Sequence, residues 1–231
     1  MYVYGKNTVC EYLKKNKKVQ KAYIYDNFKD KFLISDLQKR DICIKYLSKI
    51  ELDKLVKGNH QGIILSVPDY KYFDIDFIMD KDDAFIVILD HLEDPHNFGA
   101  IIRTCEAAGV DLIIIPKDRS VEINDTVMRV STGALENIKV SQVTNLNSTI
   151  EKLKKNGFWI IGTDMQGEDY DKIDYKGKIG IIIGNEGHGM SKLVKESCDF
   201  IASIPMQGKV NSLNASVATA IVVFEAVKNR K

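Results

Sequence analysis

From Ala84 onward, short runs of almost unbroken apolar residues alternate with segments of helical length, and few architectures absorb that rhythm. The strand-like runs are 85–90, 112–116, 138–141, 158–163, 179–184 and 200–204. The helix-like runs are 97–108, 124–134, 148–156, 190–197 and 214–228. A strand with one wet face alternates polar and apolar residues. These strands do not, so both of their faces must be covered, and strands separated by helices pair in parallel. The expected fold class is α/β, a parallel sheet with helices on both faces.

Before Ala84 the pattern is different. Residues 7–15 read as helix, 21–25 as extended, 29–40 as helix and 42–47 as extended; a short helix at 50–56 and a β-rich run at 61–67 follow, ended by Pro68. This is a small α/β unit, 1–68. Residues 69–83 are acidic with scattered aromatics and read as a linker, leaving 84–231 as the second domain. Charge divides along the same line. Residues 1–68 hold 14 Lys and Arg against 7 Asp and Glu, whereas 69–231 hold 19 against 25. A basic module beside a mildly acidic one suggests that the first part meets a polyanion.

Several classes are set aside. The longest apolar runs, such as 85–89 and 179–183, are far too short to span a bilayer, so no membrane partner is expected. The first residues lack the apolar core of a secretory signal, and a cytoplasmic location is the expectation. Cys10, Cys43, Cys105 and Cys198 show no Cys-x-x-Cys spacing and the four histidines are dispersed, so neither zinc nor any other metal is indicated.

Three loops each follow a strand and open a helix, which is where an open α/β sheet holds ligands. In the first, Leu89 to Thr104, Asn97 suits an N-cap and Gly109 ends the helix. Arg103 falls in a mostly apolar helix, where a buried guanidinium would need a partner; its planar fork grips phosphate or carboxylate at two points. In the second, Gly184-Asn185-Glu186-Gly187-His188-Gly189, closely spaced glycines let a ligand approach the backbone, and Glu186 is placed to position substrate or the loop itself. The spacing is not the dinucleotide fingerprint, which argues against a nicotinamide-dependent oxidoreductase. In the third, Ile204 to Ala218, Ser212 and Asn214 suit capping, and small residues allow close packing at the start of the last helix.

In this order and spacing the three loops resemble the motifs of the SpoU (TrmH-like) family of the SPOUT superfamily, RNA ribose 2′-O-methyltransferases that use S-adenosylmethionine. Val3-Tyr4-Gly5-Lys6-Asn7-Thr8-Val9 and Asn59-His60-Gln61-Gly62-Ile63 resemble the substrate-binding domain of its RlmB branch, the 23S rRNA guanosine-2′-O-methyltransferases. The resemblance implies a deep trefoil knot in the C-terminal part of the catalytic domain, an exception to ordinary topology. It implies a homodimer with active sites near the subunit interface. It places Gly184, Ile204 and Leu213 against the methyl donor, with Thr163, Gly187, Pro205 and Met206 lining the site. Asn97, Arg103, Glu186, Ser212 and Asn214 match catalytic positions, and Lys6, Asn7, His60 and Gln61 would face RNA. S-adenosylhomocysteine would be the product. Arg103 is the group implied nearest the attacking hydroxyl, yet an arginine stays protonated near neutral pH. Gripping a phosphate or the developing alkoxide is therefore the role expected of it. The alternatives are methylation of tRNA or of another rRNA nucleotide, as in resistance-type enzymes, and a non-catalytic ribosome-assembly factor that binds RNA.

Overall fold

The computed structural model describes residues 1–230. In chain order its main elements are β1 (Tyr2–Tyr4), α1 (Lys6–Lys14), β2 (Lys21–Tyr25), α2 (Lys31–Lys39), β3 (Ile44–Leu47), α3 (Lys49–Leu55) and β4 (Ile63–Ser66). Then come β5 (Phe85–Leu89), α4 (Pro95–Ala107), β6 (Leu112–Pro116), α5 (Asp125–Val130), β7 (Lys139–Val143) and α6 (Leu146–Lys155). The chain ends with β8 (Trp159–Asp169), β9 (Ile179–Ile183), α7 (Lys192–Glu196), β10 (Phe200–Ser203) and α8 (Ala215–Asn229). Two compact units result. One is Met1–Lys71 with Ile123–Glu136; the other is Tyr72–Glu122 with the chain from Asn137 onward.

The first unit carries a four-stranded sheet of order β1-β4-β2-β3, in which only β2 and β3 run parallel. In α1, Val9, Tyr12 and Leu13 recur at helical spacing and are buried. Leu33 and Leu37 do the same in α2, and Leu52 in α3. Two caps fix where these helices begin. Asp30 accepts from the Leu33 amide, and Ser48 with Glu51 forms a capping box at α3. Sequence alone ended this domain at residue 68, but residues 123–136 belong to it too. β1 is an edge strand, and its Tyr2 amide donates to the Asp125 carboxylate at 2.6 Å. A partner this distant in sequence leaves no local signal.

In the second unit six strands run parallel in the order β10-β8-β9-β5-β6-β7. Every residue of β5, β6 and β9 is buried, as the unbroken apolar runs require. The stretch read as a linker is only partly one. Ile75 and Ile78 enter this unit's core beside Ile86, Leu112 and Ile160. Burying such side chains stabilises by roughly 1.5–3 kcal/mol each, enough to hold an acidic segment against the sheet.

The chain steps outward from β5 to β6 and β7, then fills the other side of β5 with β9, β8 and β10. This reversal gathers the loops after β5, β8, β9 and β10 at the carboxyl ends of the strands. The pairing of β10 with β8 adds one more feature. Ile201 lies opposite Gly162, but Ala202 lies opposite Glu168, so residues 163–167 are looped out of the ladder. Gly167 makes the return possible, because a Cβ there would sit 2.4 Å from the Ile201 carbonyl oxygen.

Candidate active site

Asp90 follows β5 directly, its carboxylate almost fully buried, at 1% exposure. An acid so placed needs donors. One oxygen accepts from the Ser191 amide at 2.7 Å, and the other is 2.5 Å from His91 Nδ1. Asn185 continues the tie: its side-chain amide donates to the His91 carbonyl at 2.7 Å, and its Oδ1 accepts from the Gly187 amide at 2.8 Å. Backbone bonds between Asn185 and Gly189 close the turn. The second loop is thus pinned onto the first. Gly184 is obligatory here, because a Cβ would lie 2.4 Å from the Gly189 carbonyl carbon. Asp90 and Asn185 were not singled out from the sequence. The available signal was a carboxylate at the end of a strand buried on both faces, a position that demands fixed partners.

Asn97 is not the cap expected of it. Asp94 caps α4, accepting from the His96 and Asn97 amides, and Pro95 occupies the first helical position, where a missing N–H costs nothing. The Asn97 side chain is therefore free to turn inward, and its amide donates to Glu186 in the second loop. Asn97 is buried while Glu186 remains exposed. Asn214 does cap α8, its Oδ1 accepting from the Ser216 amide at 2.9 Å and hydroxyl at 2.6 Å. Ser212, two residues earlier, caps nothing and lines the cavity beside it.

That cavity has a volume of about 390 Å³ and lies where residues 163–165, 184–189 and the third loop converge. Of the positions expected to touch a donor, Thr163, Gly184, Gly187, Ile204, Met206 and Leu213 line it. Pro205 does not. Glu186 and Ser212 line it as well, whereas Asn97, Arg103 and Asn214 lie outside its wall. Ile183, Ile204, Met206 and Leu213 give an apolar surface, and the carboxylates of Asp164 and Glu186 give a negative one. Burial pushes the Asp164 carboxyl up. The Lys195 ammonium at 2.8 Å and the Gln166 and Met165 amides outweigh it and hold the group below the ordinary carboxylate value.

Arg103 differs from its reading in one respect. It is exposed, because Phe98, Ile101, Ile102 and Cys105 take the buried face of α4 and position 103 falls on the other side. No buried partner is needed. In the first unit, Asn7 is exposed in the first turn of α1, and the Lys6 amide donates to Gln61 Oε1 at 2.7 Å. His60 does not face outward. It is 6% exposed, accepts from the Gly62 amide at Nδ1 and bonds Asp53 through Nε2, so it shapes the turn that presents Gln61.

A parallel sheet with a pocket of ligand size at its carboxyl edge, beside the point where strand order reverses, places the second unit among the open α/β ligand-binding domains. The chain belongs to the SpoU rRNA Methylase family, whose model matches residues 84–224. A second model, RNA 2′-O ribose methyltransferase substrate binding, matches residues 2–73. The chain is 42% identical, over 238 residues, to YacO of Bacillus subtilis, a protein assigned to the TrmH family of tRNA/rRNA methyltransferases; the match covers 99% of this chain and 96% of that one. Its fold is similar to that of an AdoMet-bound rRNA methyltransferase from Sinorhizobium meliloti, with a TM-score of 0.82 at 24% identity over 98% of this chain and 86% of that one. The TrmH/SpoU tRNA modifying enzyme of A. aeolicus matches at 30% identity with a TM-score of 0.58, covering 64% of this chain and 76% of its own.

Proposed function

We propose that the cavity holds S-adenosylmethionine and that the protein methylates a ribose 2′-hydroxyl, a guanosine of 23S rRNA, in the cytoplasm. The observation that carries this is the bond by which Asn97 holds Glu186, a wall residue of a cavity of about 390 Å³. It joins the first loop to the second, beside a third that supplies Ser212 and the Asn214 cap. The pocket fits such a donor. Its volume is in the ligand range, its apolar wall suits an adenine ring, and the exposed Glu186 carboxylate suits a cation. When bound, the donor supplies a methyl group on a good leaving group, open to in-line displacement.

The chain's own residues do the rest. Glu186, held by Asn97, orients what enters the cavity. Arg103 grips a phosphate or the developing alkoxide, and the hydroxyl proton leaves to water. Fixing an acceptor this way is worth up to about 7–11 kcal/mol of barrier in well-oriented reactions.

Substrate and assembly belong to the same proposal. The match to the tRNA enzyme stops at 64% of the chain, whereas the rRNA methyltransferase aligns with 98%, and this favours rRNA. A homodimer is supported by α8, which is apolar nearly all round and leaves Val217 and Phe224, two turns apart, exposed beside α4. A trefoil knot in the C-terminal part of the second unit, where the loops after β8, β9 and β10 meet at the cavity, belongs to the same proposal. Arg103→Lys tests the catalytic reading. Methyl transfer to rRNA fragments should fall at least about 100-fold while calorimetric affinity for S-adenosylmethionine is unchanged. Near-normal transfer would remove Arg103 from the chemistry, and failure to bind the donor would remove the cavity from it.

A further inference from the structure

His91 follows the buried Asp90 and stands in the left-handed backbone region, at φ 57°. Residues other than glycine hold that conformation only where their surroundings impose it. Here Asp90 imposes it. Its carboxylate accepts from the Ser191 amide at 2.7 Å and lies 2.5 Å from His91 Nδ1. A carboxylate can only accept, so Nδ1 of the ring carries a proton. The His91 side chain is 28% exposed, which makes the bond to Asp90, not core packing, the reason for its placement.

The carbonyl of the same residue reaches the second loop. It accepts from the Asn185 side-chain amide at 2.7 Å, while Asn185 Oδ1 accepts from the Gly187 amide at 2.8 Å. Glu186 stands between the two residues that the Asn185 side chain ties together. Its backbone is therefore fixed from His91, and its carboxylate accepts from Asn97. Both holds come from the first loop. Neither Asp90 nor His91 lines the cavity, so their influence on it passes through Asn185 and the turn. We propose that His91 is a positioning residue for Glu186. Asp90 locks its ring through Nδ1–H, the locked ring holds the left-handed backbone, and the carbonyl fixes Asn185 and the turn that carries Glu186. The proposal rests on the reading that Glu186 serves methyl transfer at this cavity, and adds what holds it there.

The test compares His91→Gly with His91→Asn in the full chain. Glycine keeps the left-handed backbone and the carbonyl but removes the ring. Asparagine tolerates the same backbone, and its Nδ2 stands where Nδ1 stood, so it still donates to Asp90. Methyl transfer to rRNA fragments is measured beside hydrogen–deuterium exchange of peptides covering residues 184–191. His91→Gly should lower kcat roughly 10- to 100-fold, change the KM for RNA less than about 3-fold and speed exchange in the turn. His91→Asn should return both readouts to near wild-type values. Should His91→Gly fail to fold, Asn185→Asp carries the same expectation, since it sets an oxygen against the His91 carbonyl while still accepting from Gly187. Unchanged kcat in His91→Gly, or lowered kcat with wild-type exchange, would overturn the proposal. So would an asparagine variant as impaired as the glycine one, because the ring would then act through Nε2 as a proton acceptor. A wild-type chain that transfers no methyl, while His91→Gly loosens 184–191, keeps the anchor and loses the proposed reaction instead.

Discussion

Asn97 shows how much one side chain decides. It is neither cap nor core filler, and its single bond to Glu186 joins two loops that 89 positions separate. Asn97→Ala leaves α4 capped by Asp94, so the fold should persist with Tm nearly unchanged while kcat falls on the order of 100-fold, the usual cost of a misplaced reacting group. An unaltered kcat with a raised KM would instead make the pair a binding contact. Asp164 gives a pH signature. Its folded carboxyl titrates below its ordinary value, so its contribution is fully present above the unfolded pKa and is lost as pH falls through the folded one. Asp164→Asn should therefore lower Tm at neutral pH and flatten the acid limb of the Tm–pH profile below about pH 4; parallel profiles would show that Lys195 gives it no stabilisation. The family resemblance implied Asn97, Glu186 and Ser212 as site residues, and the structure bonds Asn97 to Glu186 and sets Glu186 and Ser212 in the cavity wall, while the cap expected at Asn97 falls to Asp94. The burial of His60 and the exposure of Arg103 were not legible in the sequence. Both depend on which way a side chain faces, and no one-dimensional pattern settles that for a lone polar residue.

At the level of elements, the apolar runs predicted five of the six strands of the parallel sheet within two residues, because burial on both faces leaves no room for polar alternation; β8 runs six residues past its expected end at 163, to Asp169. Less was legible where a local rule had competitors. Pro95 and Asp94 moved the start of α4 upstream of Asn97, and Thr132 and Gly133, both at positive φ, cut the helix expected over 124–134 to Asp125–Val130. The loop-out of 163–167 had no precedent in spacing, since it follows from the register of β10, a strand far along the chain. α8 carries the element-scale prediction. A helix apolar on nearly every side has more than one partner, and α4 covers only part of it. Phe224→Lys should convert a sedimenting dimer to monomer without lowering Tm by more than a few degrees. A wild-type chain that sediments as a monomer would remove the dimer from the account.

At the scale of the whole molecule, two units share an unequal division of charge and chemistry. The basic one holds the substrate-binding match; the other holds the cavity. Their boundary was the least legible feature, because residues 123–136 join the first unit from within the sequence of the second. Cutting the chain at residue 68 or 71 would therefore leave α5 without β1, and point variants are the cleaner probe. The account stands or falls on where a methyl group goes. The protein is incubated with rRNA and S-adenosylmethionine carrying a radioactive methyl, and the RNA is then hydrolysed in alkali. A methylated 2′-oxygen cannot attack the adjoining phosphate, so the label is predicted in an alkali-resistant dinucleotide, and Arg103→Lys should abolish it. Label recovered in mononucleotides would place the methyl on a base and contradict the central claim.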